Sequence, residues 1–248
     1  PFLKKQAKEI GYPVVIKPIN FGGSGGVIKV ENEQELLEKY DETMKHLSLY
    51  AHKFNSSSDE IAVEKYIHIK DEYSVEVINT KTSRKIIGIT KKFLTQEPYF
   101  AEIGHMVPAE ISRNTSVAFK VSEIAMSACS ALGIEYGISH VEMKVDSEGN
   151  VIVIEVGART AGDGIMDLWE KVHLKNMYEL HCLSYMNKLN LDVVNFEESN
   201  RKAAIGYFII PKGILKSIAI DGNDAILHDK YIEKINIILS HPCPCLGL

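Results

Sequence analysis

The chain has 248 residues, a net charge of −5, 45% hydrophobic and 25% charged residues, enough for one large globular domain or two small ones. No basic surplus or long like-charge run favours nucleic acid as a partner. No apolar run approaches the ~20 residues of a membrane helix, and no signal peptide opens the chain.

Residues 3–10 read as the end of a helix stopped by Gly11. Tyr12 to Pro18 reads as a short buried strand ending in Lys17 and Pro18, and Val27 to Val30 as the returning strand. Between them lie Gly22, Gly23, Ser24, Gly25 and Gly26. Four glycines in five residues permit positive φ and close approach of backbone to a ligand, and successive free N–H groups there can cradle phosphate. A lysine at the end of the preceding strand can reach such a phosphate as a point charge. The loop is not a Walker A sequence, because no Gly-Lys-Ser/Thr follows. Nor is it a dinucleotide fingerprint, because a strand follows it. A floppy hairpin tip is the alternative.

Asn32 with Glu35 three residues on predicts a capped helix running to about His46. Residues 51–59 read as a surface loop. Ile61 to Ile67 is a strand running out into a linker, where a small first lobe (1–63) gives way to a larger one (64–190), with 191–248 as a C-terminal strand-rich segment. Residues 73–78 and 85–90 form a hairpin, and 93–111 a long irregular stretch containing Glu102, His105 and Pro108. Residues 115–132 predict a helix with Val121, Ala125, Ala128 and Leu132 on its apolar face, stopped by Gly133. A flexible loop follows at 160–164, a helix near 176–187, and strands at 203–210 and 214–220.

The most informative stretch is Ile138 to Arg159, read as a hairpin around Asp146 to Asn150. With Glu148-Gly149 at its tip, Val141, Met143 and Val145 oppose Val156, Ile154 and Ile152 on one apolar face. The same register places Glu142 opposite Glu155. Like charges so placed have Cβ atoms roughly 5 Å apart and repel. One acid is then protonated, or a cation sits between them; two glutamates on a solvated face are the alternative. Mg²⁺ prefers one or two carboxylates plus phosphate oxygens and would suit the pair. Arg159 follows where a cation could reach the same site.

Cys129 and Cys182 fall in apolar helical patterns and are expected to be buried thiols. Cys243 and Cys245 sit in a tail, His-Pro-Cys-Pro-Cys, that matches no zinc spacing. This usage suggests a reduced, cytoplasmic setting.

Taken together, Gly11 to Pro18, the glycine loop, Val63-Glu64-Lys65-Tyr66-Ile67, Glu72 to Glu76, Glu142 and Glu155 to Arg159 resemble the ATP-grasp superfamily over roughly residues 1–190. Glu102-Ile103-Gly104-His105, Pro108-Ala109 and the Gly-Ala-Arg after the second acid look most like bacterial L-amino-acid ligases (dipeptide synthetases); a carbamoyl-phosphate-synthase-like label states the same likeness less specifically. The resemblance implies an α+β fold, with two lobes of antiparallel-rich sheet and helices and a nucleotide cleft between them. It implies ATP and one or two Mg²⁺ (or Mn²⁺) as cofactors. Lys17 would bind phosphates, and Gly22 to Gly26 would close over them. Glu64 and the backbone of Lys65, Tyr66 and Ile67 would hold adenine. Glu72 would bind ribose, and Glu142 and Glu155 the metal. Arg159 would steady the phosphoryl group, while Glu102, His105 and Asp163 would face the amino-acid pocket.

The implied activity is ATP-dependent joining of a carboxylate to an amine through an acyl phosphate, the substrate being an L-amino acid. A nucleotide-binding or regulatory module without ligase chemistry, and a phosphotransferase of the carbamoyl-phosphate-synthase kind, are the alternatives. Partners would be small molecules, and the resemblance admits a homodimer. Gly157 stands where many members carry a metal-binding Asn. The family's N-terminal domain would precede Pro1, so this stretch alone is expected to bind ATP weakly and turn over nothing.

Overall fold

The computed structural model describes residues 2–54, 60–69, 71–113, 115–196, 200–208 and 230–235. The first layer begins with α1 (Phe2–Ile10), which closes where the Gly11 amide donates to Ala7, with Gly11 at φ +86°. Strands β1 (Val14–Pro18) and β2 (Ile28–Val30) follow, then α2 (Glu33–Phe54) and β3 (Ile61–Lys65). Asn32 caps α2: its Oδ1 accepts from the Gln34 and Glu35 amides, and Glu35 reaches back to the Glu31 amide. The helix continues through 51–54, beyond the expected end near His46. The strands form an antiparallel sheet in the order β2-β1-β3. Alternation buries Val14, Ile16, Ile28 and Val30 against Ala7 and Leu36.

The second sheet has six antiparallel strands in the order β8-β7-β4-β5-β6-β9. They are β4 (Glu72–Asn79), β5 (Arg84–Leu94), β6 (Glu102–Val107), β7 (Gly137–Val145), β8 (Val151–Gly157) and β9 (Ala203–Gly206). A 3₁₀ turn (Glu110–Arg113) and α3 (Thr115–Ala131) lie between β6 and β7; α4 (Ile165–His173) and α5 (Met177–Tyr185) lie between β8 and β9. One sheet face, with Tyr73, Val75, Val77, Val141, Met143 and Val145, packs on Val121, Ala125 and Cys129 of α3. Those three positions recur every four residues, which is the stripe a helix presents to a sheet. Leu132 lies past the helix end and is exposed.

The opposite face is split. At one end Ile78, Ile87 and Ile138 pack under Met166, Trp169 and Met177 of α4 and α5. A Cβ on Gly88 would lie 2.0 Å from the Trp169 ring, so the absent side chain is what lets the indole lie on the sheet. At the other end the inward side chains are charged.

Four expectations are corrected. The 93–111 stretch is not irregular throughout: 102–107 form β6, because β5 and β9 supply ladder partners on both sides. The hairpin register holds at Val141↔Val156 and Glu142↔Glu155, but a bulge between Glu142 and Met143 leaves Ile154 without a partner. Met143 therefore opposes Val153, and the apolar set becomes Val151, Val153 and Val156, with Ile152 exposed. Cys182 is exposed, because the buried side of α5 runs through Met177 and Ser184. Helix α4, at 165–173, follows the 160–164 loop directly and was not anticipated. The expected strand at 214–220, the loop residues 55–59 and Cys243 and Cys245 lie outside the described residues.

Candidate active site

Strand parity builds the site. Residues 140, 142 and 144 of β7 share a face with 72, 74 and 76 of β4, because Glu72 pairs with Lys144, Ser74 with Glu142 and Glu76 with His140. On β5, Lys92 pairs with Glu72, and on β6 His105 pairs with Lys92. Four strands thereby bring their ionisable side chains to one patch.

Lys92 is the hub. Its side chain is 2% exposed, and Nζ lies 2.9 Å from Glu72, 2.9 Å from Glu102 and 2.8 Å from Glu142. Burial works to lower its pKa, but the three carboxylates overcome that and hold it above the usual lysine value. Glu142 is gripped on both oxygens, by Lys92 and by His140 Nε2 at 3.1 Å. Burial opposes its ionisation; His140 and Lys92 win and bring it to about 2. His140 also meets the wholly buried Glu76 at 3.0 Å. Desolvation would lower the imidazole's pKa, yet Glu76 and Glu142 raise it to about 10. The repulsion between the facing acids is thus answered on the Glu142 side by two side-chain cations.

Glu155 is exposed on the rim, with no ion pair among the described residues. Arg159 is exposed too; its guanidinium donates to the Thr160 carbonyl at 3.0 Å, and its stem lies over Gly157. It does not reach either acid within ion-pair distance in this conformation.

Glu102, His105 and Asp163 meet beyond Lys92. His105 is fully buried, with Nε2 3.2 Å from Glu102 and 3.7 Å from Asp163. Both contacts lie within ion-pair distance, but neither is a directed hydrogen bond, and neither ring nitrogen has one among the described residues. Burial disfavours the imidazolium, and the two carboxylates outweigh it and raise the pKa. One ligand atom from each residue falls within 4.8 Å of the others, an arrangement open to a cation. With both histidines protonated, Glu72, Glu76, Glu102, Glu142 and Asp163 outnumber Lys92, Lys144, His105 and His140 by one charge, and Glu155 adds a second at the rim.

The small sheet supplies the rest. Lys17 Nζ lies 2.8 Å from Glu64, its diagonal neighbour across β1 and β3. The glycine loop is turned tightly, with Gly23, Ser24 and Gly26 at positive φ and the Gly25 amide donating to Gly22. A Cβ on Gly25 would strike the Phe21 ring and His46, so the loop lies against both. Beyond exposed Lys65, the Tyr66 amide donates to Pro13, and half-buried Ile67 follows. The Tyr66 hydroxyl donates to Glu97, Lys29 Nζ lies 2.6 Å from Glu97, and the same ammonium lies 4.2 Å above the Tyr66 ring. Lys144, buried and with its pKa lowered mainly by desolvation, lies 5.8 Å from that ring.

Sequence reasoning missed Lys92, Glu76, His140, Lys29 and Glu97. For Lys92 a signal existed: Lys91-Lys92 sits within a β-rich run, so one of the two must point inward.

Residues 10–167 match the model of the ATP-grasp domain family. The chain is 26% identical over 151 residues to a D-alanine–D-alanine ligase of Prochlorococcus marinus, covering 59% of this chain and 39% of that protein. Among solved structures it is similar to the L-amino acid ligase of Bacillus licheniformis, with TM-score 0.62, 27% identity and coverage of 82% of this chain and 46% of that one. It also shares its fold with the biotin carboxylase domain of Hydrogenobacter thermophilus 2-oxoglutarate carboxylase, solved with MgADP and bicarbonate, with TM-score 0.66, 19% identity and coverage of 81% and 42%. The chain thus spans less than half the length of each of these proteins. No helix among the described residues is long and apolar enough to cross a membrane. The fold is α+β, and the chain belongs to the ATP-grasp family.

Proposed function

We propose that this chain carries the nucleotide and metal site of an ATP-dependent carboxylate–amine ligase acting on an L-amino acid. The observation that carries the reading is the in-register pair Glu142 and Glu155 at the rim of a buried, net-negative cluster. Residues 1–63 serve as the lid lobe, 64–190 as the large lobe and 191–248 as the C-terminal segment.

The donor set fits a hard divalent cation: two facing carboxylates, one of them without an ion pair among the described residues, beside uncompensated negative charge. Glu142 and Glu155 would hold Mg²⁺, which supplies charge neutralisation for the triphosphate when bound. Gly157 leaves the further Asn ligand of many relatives unfilled. Lys17 and the amides of Gly22, Gly23, Ser24, Gly25 and Gly26 bind phosphate oxygens. Glu64 and the main chain of Lys65, Tyr66 and Ile67 hold the base, and Glu72 the ribose. Arg159, exposed and without an acid partner within ion-pair distance among the described residues, swings to the transferring phosphoryl group.

A carboxylate is a poor electrophile. Transfer of the γ-phosphoryl group to its oxygen releases ADP and leaves an acyl phosphate. An amine then attacks the acyl carbon, phosphate departs with the bonding electrons, and the nitrogen loses a proton. Positioning and positive charge are what this transfer needs. Glu102, His105 and Asp163 face the amino-acid substrate, and the closed glycine loop keeps water from the intermediate.

The test is a screen of the protein containing this chain for ADP release with pairs of amino acids. Glu155→Gln should abolish the amino-acid-dependent part; undiminished release would overturn the reading. A nucleotide-binding module without ligase chemistry is favoured by one observation, that His140 and Lys92 already occupy both oxygens of Glu142. Tight Mg-ATP binding without ADP formation for any amino acid would select it.

A further inference from the structure

We propose that Tyr207 is a positioning residue for the amino-acid subsite, holding the 162–164 turn over His105 and so fixing where the Asp163 carboxylate stands. The assignment of a substrate to this subsite rests on the ligase reading; the positioning does not.

Strand β9 joins the sheet edge through His105↔Ile205 and Gly104↔Gly206. A Cβ on Gly104 would lie 2.7 Å from the Ile205 carbonyl, so the glycine permits this close approach. Past the strand end, the Tyr207 amide donates to the Ile103 carbonyl at 2.9 Å. The tether brings the Tyr207 ring edge-on to His105, centroids 6.1 Å apart at 77°. The hydroxyl then donates to the Asp163 main-chain carbonyl at 2.7 Å.

Asp163 needs that support. It adopts φ +54°, followed by Gly164 at φ +74°, two successive left-handed residues. The left-handed region is costly for a residue with a Cβ and persists where surroundings impose it. The turn is held on one side by the Ile165 amide donating to Gly162, and on the other by Tyr207. The outcome is an Asp163 carboxylate 3.7 Å from His105, whose ring has no directed hydrogen bond among the described residues to fix its charge state. The groups facing His105 are Glu102 on its own strand, Asp163 from the turn, Lys92 opposite it on β5, and the Tyr207 ring. Of the two acids, Glu102 is pinned by Lys92, whereas the position of Asp163 depends on the turn. Tyr207 thereby sets the charge and width of the subsite without touching a reacting atom.

Tyr207→Phe removes the hydroxyl and keeps the ring; Tyr207→Ala removes both. NMR titration of the His105 ring, assigned with His105→Gln, should show a lower midpoint in Tyr207→Phe, because Asp163 draws away. Kinetically, KM for the amino acid should rise about fivefold, the effect of one lost hydrogen bond, with KM for ATP unchanged. An unmoved His105 midpoint in Tyr207→Phe overturns the positioning role, whatever the activity. A lowered midpoint with unchanged amino-acid KM overturns its link to the subsite. A lowered midpoint in a protein that releases no ADP with any amino acid supports the positioning and sinks the ligase reading instead.

Discussion

Replacing Lys92 by methionine would keep much of the stem's volume and remove the charge that three strands share. The Lys92 ammonium stands within 2.9 Å of Glu72, Glu102 and Glu142 and is almost wholly buried. Breaking a buried ion network by deleting one partner costs about 3–5 kcal/mol, because the charges left behind are poorly solvated. Here Glu142 keeps His140 and Glu102 keeps His105, while Glu72 keeps no ion pair among the described residues. The loss therefore falls chiefly on Glu72, which points to the lower end, about 3 kcal/mol. The pH dependence separates this cause from simple mispacking. Glu142, held at about 2 in the fold, contributes stability that is present above its unfolded value and lost as pH falls through the folded one. Without Lys92 that depression shrinks, so the deficit should be full at pH 7 and smaller at pH 4, where the stranded acids take up protons. Urea denaturation of parent and Lys92→Met at both pH values reads it directly. A deficit under about 1 kcal/mol at pH 7, or one equal at both pH values, would refute the reasoning.

His140, raised to about 10, gives the opposite sign: its contribution is present below the unfolded histidine value and lost as pH climbs through 10. The parent should lose stability between pH 7 and 10 more steeply than His140→Gln, and parallel denaturation curves would contradict this. Glu155→Gln, at an exposed site without an ion pair among the described residues, should change folding stability by less than about 0.5 kcal/mol while removing the extra thermal protection that Mg²⁺ gives in the presence of ADP. Gly88→Ala should cost about 3 kcal/mol or more, since the new methyl would overlap the Trp169 ring; Trp169→Leu in the same chain should recover part of it in a thermal melt.

What the letters revealed was local. The Glu142–Glu155 opposition followed from a turn cluster and side-chain parity, both short-range. The Asp146 side chain does accept from the Glu148 and Asn150 amides, which is why that turn could be placed. The bulge at Ile154, next to Glu155 on β8, could not be read, because Val153, Ile154 and Ile152 suit either face equally well. The Asn32 cap was legible for the same reason as the turn, whereas the far end of α2 carries no stop signal near His46.

The charge cluster was illegible for a different reason. Glu72, Lys92, Glu102 and Glu142 lie on four strands, and their meeting depends on strand order β7-β4-β5-β6, a long-range property no spacing encodes. In sequence the lysine looked like half of an ordinary solvated pair, Lys91-Lys92. Its neighbour turns to the other face, where its ammonium lies over the Tyr73 ring beside Asp71 and Glu110. Only the sheet decides which of the two meets the three acids. That asymmetry also bears on why the site tolerates such burial. Lys92 faces three acids and His140 two, so each acid that leaves still leaves its cation partnered, whereas losing Lys92 strands buried charge. The surplus of carboxylates leaves the cluster able to take up an added cation, and a bare anion would enter only with a counter-ion of its own.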